Sequence, residues 1–192
     1  MRPGKYEMTV ELNPDTERHP FMPLGEFKKT LEIKSSGVDL GQFNVPTFPG
    51  LKPGAIVENL MFENRKTGLP TWLESLRERY VLIDFWKPWD ETSKSDSKKL
   101  KELAKDLLKD EVTVLSLHTY NRTEGERLPK QMPKSLTWID GKVEINNLRA
   151  YRKTVAALTP QYYLLIDPEG KYVAGGDIEA IEKALRESEL MR

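Results

Sequence analysis

Val81-Leu82-Ile83-Asp84-Phe85-Trp86-Lys87-Pro88-Trp89 is the stretch that decides the fold. From Tyr80 to Trp86 the run is almost continuously apolar, with Asp84 as its one charged residue. Such a run reads as a strand buried on both faces, the habit of strands in parallel sheets. Downstream, Ser93 to Lys109 predicts a helix. Leu100, Leu103, Ala104, Leu107 and Leu108 recur at spacings of three and four, and lysines fill the opposite side. Glu111 to Leu117 is a second buried strand. A strand, a helix of about 15 residues and another strand form a βαβ unit, which implies a parallel pair joined by a right-handed crossover.

The pattern continues outward from that unit. Ile56 to Phe62 reads as extended, and Leu69 to Arg77 as a short helix. Tyr120 to Pro133 is polar and broken by Gly125, Pro129 and Pro133, so it reads as a loop. Asn146 to Leu158 predicts another helix. Gln161 to Asp167 predicts a strand, Pro168-Glu169-Gly170 a tight turn, and Lys171 to Ala174 the returning strand. Asp177 is placed to cap a last helix with Ile178, Ile181, Ala184 and Leu185 on its apolar side. Upstream of Leu51-Lys52-Pro53-Gly54 the chain is rich in turns. Tyr6 to Leu12 alternates and reads as a strand, Lys28 to Ile33 as a second, and Val38 to Phe43 as a third. Asn13 to Gly25 is a long polar connection. Two or three strands are marginal alone in water, so this segment must pack on something or belong to a larger β-domain.

Composition narrows the function. A chain of 192 residues can bury a core, roughly 70% of the surface exposed when unfolded. Its 30 Lys+Arg and 30 Asp+Glu cancel, so no basic field marks a nucleic-acid partner. No apolar run approaches the roughly 20 residues of a membrane helix. There are no cysteines, which excludes disulfides, thiolate catalysis and cysteine-held metals. His118 is a conceivable metal ligand, but the only other histidine is His19 and no third ligand has suitable spacing, so no metal and no cofactor is expected. Met1-Arg2-Pro3-Gly4 has no apolar h-region, so no secretory signal is read, and the start is expected to lie inside a longer protein.

Two strings carry a resemblance. Val81 to Trp89, followed by Asp90-Glu91-Thr92-Ser93, is similar to the strand, Phe-Trp-x-x-Trp and Cys-x-x-Cys of thioredoxins and periplasmic thiol-disulfide proteins, the redoxin group. Thr159-Pro160-Gln161-Tyr162-Tyr163-Leu164-Leu165-Ile166-Asp167-Pro168-Glu169-Gly170-Lys171 resembles their cis-proline, strand and Asp-x-x-Gly-Lys hairpin. The resemblance implies an α/β, thioredoxin-like three-layer fold with a central mixed β-sheet over residues 51–192. Residues 1–50 would form a short N-terminal β-rich segment. Pro3-Gly4-Lys5-Tyr6 and Val38-Asp39-Leu40-Gly41 look like the last strands of a carboxypeptidase-regulatory-like β-sandwich, which precedes a redoxin domain in some large bacterial envelope proteins. A periplasmic or cell-envelope location follows from the resemblance alone.

In that family a thiolate at the helix start attacks a disulfide, and a second cysteine one turn on resolves it. The matching positions here are Asp90 and Ser93. Neither performs sulfur exchange, and Ser93 has no histidine nearby in sequence to activate it. Asp90 makes a good helix cap in its own right. Asp84 matches the family's buried aspartate, whose usual lysine neighbour would stand near Ser116. Pro160 would be cis by the resemblance, and Trp86, Pro88, Trp89, Thr159 and Pro160 would border a shallow peptide groove. The expectation is a redox-inactive module that binds a protein or peptide partner or packs on a neighbouring domain of its parent chain. The alternatives are an oxidoreductase by ancestry whose activity is lost or resides elsewhere, and a carboxylate pair of Asp84 and Asp90 doing acid–base work.

Overall fold

The computed structural model describes residues 4–12, 25–33, 50–86, 91–108, 110–120, 137–144, 147–148, 151 and 162–191. The chain divides into two units, Met1–Pro49 and Gly50–Arg192.

In the first unit, β1 (Gly4–Leu12) pairs antiparallel with β2 (Gly25–Ile33). Half-buried Tyr6, Met8 and Val10 alternate with exposed Lys5, Glu7 and Thr9, and Phe27 and Leu31 answer them from β2. This period of two is what makes the segment a ribbon with one apolar side. The third strand expected at Val38–Phe43 lies outside the described residues, as does the connection from Asn13 to Leu24.

The second unit holds a seven-stranded mixed sheet in the order β4-β3-β7-β6-β5-β8-β9. Its strands are β3 (Met61–Asn64), β4 (Leu69–Trp72), β5 (Tyr80–Trp86), β6 (Val112–Tyr120), β7 (Thr137–Glu144), β8 (Tyr162–Ile166) and β9 (Tyr172–Gly176). The predicted parallel pair is present, with Tyr80 opposite Val112 and Trp86 opposite His118. β7 adds a second parallel pairing on β6, with Thr113 opposite Thr137. The remaining pairings are antiparallel.

The core has two halves, one on each face of the sheet. Val81, Ile83, Phe85, Leu115, Leu117 and Leu164 pack with Val57, Leu60, Phe62, Leu73, Leu148 and Tyr151. Leu82, Val112, Val114 and Leu165 meet helix α1 (Glu91–Asp106) through Leu100, Leu103 and Ala104. Helix α2 (Ile178–Glu187) lies on the same face and inserts Ile178, Ile181, Ala184 and Leu185. Each such leucine, isoleucine or valine side chain contributes about 1.5–3 kcal/mol when fully buried. Asp177 starts α2 as expected, its Oδ1 accepting the Ala180 N–H at 2.9 Å. The β8–β9 turn is closed by Asp167, whose carbonyl accepts from Gly170 N–H at 2.9 Å and whose Oδ1 accepts from Lys171 N–H at 2.7 Å.

Two elements differ from the sequence reading. Leu69 to Arg77 is not a helix along its length. It begins as β4 and ends in one 3-10 turn over Leu73–Leu76. The Asn64 carbonyl collects the N–H groups of Thr67 and Gly68 at 3.2 and 2.7 Å, and Gly68, at φ +70°, turns the chain back along β3. Pro70 then sits in the edge strand, where a missing N–H is tolerated. The second difference is β7, which the apolar pattern does not reveal. Gly141 lies at its centre because the sheet is crowded there. A Cβ on Gly141 would stand 2.7 Å from Leu117 Cδ2 and 2.8 Å from Phe62 Cδ2.

Candidate functional site

Side chains of parallel strands alternate between faces, so register decides which residues meet. Asp84 is opposite Ser116 on β6 and Tyr163 on β8. Ser116 in turn is opposite Asp140 on β7. Two residues on, toward the C-terminal ends of the strands, Trp86 is opposite His118, and His118 is opposite Lys142. This polar row shares its face with α1 and α2. It also lies at the end of the parallel strands where open α/β sheets place their sites.

Asp84 is 2% exposed and Ser116 is 1% exposed. Ser116 Oγ donates to Asp84 Oδ2 at 3.3 Å, and Trp138 Nε1 donates to Ser116 Oγ at 3.0 Å. A buried carboxylate is costly unless it is hydrogen-bonded, and Ser116 supplies one such bond to Oδ2 while Trp138 on β7 holds the serine in place. The serine thus stands where the resemblance would place a lysine, and it offers a neutral donor instead of a charge.

A second cluster lies beside the first. His118, 2% exposed, holds its Nδ1 3.2 Å from Asp140 Oδ1. Asp140 Oδ2 meets Arg65 Nη1 at 3.1 Å, and the Arg65 N–H donates to the Asp140 carbonyl at 3.0 Å. Burial by itself would raise the Asp140 carboxyl. The contacts and charges of His118 and Arg65 outweigh it and hold the group below the ordinary aspartate value. The sequence reading found no histidine near the helix start. The strand pairing sets His118 of β6 opposite Trp86, the last residue of β5. Aligning the two parallel strands in sequence would have shown this neighbour.

The predicted site residues fall as follows. Asp84 is buried on β5, Trp86 ends that strand, and Ser93 lies in the first turn of α1. Pro88, Trp89, Asp90, Thr159 and Pro160 lie outside the described residues, as do the side chains of Trp86 and Ser93. The expected cis bond before Pro160 and the Asp84–Asp90 carboxylate pair are therefore not part of the described geometry. Among the described residues, no group of three or more His, Cys, Asp or Glu is arranged to hold a metal ion. None of their helices is long and apolar enough to cross a membrane. One cavity of about 460 Å³ opens between α1 and α2, lined by Lys99, Leu103, Ile178 and Met191 among others, away from Asp84.

No family model matches the sequence, and no curated protein does. Solved structures do match the fold. The thioredoxin domain of a thiol-disulfide oxidoreductase from Bacteroides vulgatus superposes with a TM-score of 0.58 at 16% identity, covering 72% of this chain and 99% of that one. A thiol:disulfide interchange protein from a Bacteroides species gives 0.56 at 15% identity, over 73% of this chain and 91% of that one. A thioredoxin-like protein from Bacteroides caccae gives 0.56 at 18% identity, over 70% of this chain but 49% of its own. The chain therefore has the thioredoxin-like fold. It carries that fold with no cysteine anywhere in its sequence.

Proposed function

We propose that this chain is a redox-silent thioredoxin-like module that binds a protein or peptide, or packs against a neighbouring domain of a longer parent chain. One observation carries the reading: the fold of thiol-disulfide oxidoreductases occurs here without a cysteine. Exchange of a disulfide needs a thiolate to attack and a second thiol to resolve the mixed disulfide. Aspartate and serine supply neither. By the resemblance, Asp90 and Ser93 occupy those two positions, and Asp84 is a retained part of the same site. Trp86, Pro88, Trp89, Thr159 and Pro160 are the groove residues of this proposal, with Trp89 as its aromatic anchor. Residues 1–50 are proposed as the end of a β-sandwich domain preceding the thioredoxin-like domain at 51–192. Among its described residues this segment has two strands, and a two-stranded ribbon is too small to be stable by itself, which supports that reading.

The test restores the missing atoms. In Asp90→Cys with Ser93→Cys, reduction of a protein disulfide is expected to rise above background, while the unmodified chain stays at background. Activity in the double variant supports an intact groove and favours peptide binding. A folded but silent double variant favours the structural module. Turnover by the unmodified chain would overturn the proposal.

A further inference from the structure

We draw no further inference here: the strongest candidate, the exposed apolar pair of Met61 and Trp72 on the β3–β4 hairpin at the edge of the sheet, is an unpartnered face, and nothing among the described residues shows what covers it.

Discussion

Replacing Gly141 by alanine places a methyl group where three buried side chains already meet. The new Cβ would lie 2.7 Å from Leu117 Cδ2, 2.8 Å from Phe62 Cδ2 and 3.2 Å from Leu115 Cδ1. Phe62 is 2% exposed, and Leu115 and Leu117 are completely buried, so none can swing into solvent. Overpacking of this kind costs about 1–3 kcal/mol, and three simultaneous close contacts place this case near the upper end. Losing a glycine also restricts the unfolded chain, which returns about 0.4–1 kcal/mol. Gly141 is not among the glycines with positive φ, so backbone strain adds nothing to the cost. The expected net loss is about 2 kcal/mol. For a domain of this size that corresponds to a drop of roughly 4–8 °C in melting temperature. Thermal and urea unfolding followed by far-UV circular dichroism measure it. Adding Leu117→Val removes one of the opposing methyl groups, so the double variant should lose less than the sum of the two single changes. A Gly141→Ala protein as stable as the unmodified chain would refute the close approach of β3, β6 and β7 at this point.

Three smaller perturbations test other parts of the structure. Asp177→Ala should cost about 1 kcal/mol in urea unfolding through loss of the bond to Ala180 N–H, while Asp177→Ser should restore most of it. Glu78 holds φ at 100°, a conformation that side chains disfavour, so Glu78→Gly should raise stability by about 1 kcal/mol. Asp140 has a depressed carboxyl in the folded chain, so its stabilising contribution is present above the unfolded aspartate value and disappears as pH falls through the lower folded value. Urea midpoints of the unmodified chain and Asp140→Asn should therefore differ most near neutral pH and converge in acid; a constant gap would count against the Arg65–Asp140–His118 cluster.

The parts of the fold that were legible from sequence share one property: their apolar residues keep a clean period. α2 is the plainest case, with Ile178, Ile181, Ala184 and Leu185 all buried at the expected spacings. β5 and β6 were equally readable, because strands covered on both faces are mostly apolar, here broken only by a few buried polar residues such as Asp84 and Ser116. β4 misled for a physical reason. Leu69, Trp72, Leu73 and Leu76 fall at helical intervals, yet Gly68 turns the chain into a hairpin before a helix can begin. β7 was invisible because one face of it carries Trp138, Asp140 and Lys142 and the other is interrupted by Gly141. These two elements also explain what was missed at the site. His118 stands out in the sequence, but Asp140 lies on a strand with no apolar signature and Arg65 opens the turn of a hairpin whose spacing mimics a helix. The cluster became visible only when tertiary pairing joined them.

Pro70 has a consequence for how copies of this chain behave in concentrated solution. An outer strand normally offers a row of donors and acceptors onto which another chain can grow, the first step of fibril formation. The Leu73 N–H donates inward to the Leu60 carbonyl at 2.8 Å, and the alternation of an antiparallel ladder then turns Trp72 and Pro70 outward. Pro70 has no N–H to give, and the Trp72 carbonyl is already occupied by Ser75 Oγ at 2.6 Å. On the opposite flank, Gly54 N–H and the Ala55 carbonyl satisfy both backbone groups of Tyr172 at 2.8 Å each. Among the described residues, the outer margin of β4 thus lacks one donor and has one acceptor occupied, and the start of β9 is covered at Tyr172 by a strip of its own chain, so an incoming fibril strand meets fewer free backbone groups at these points.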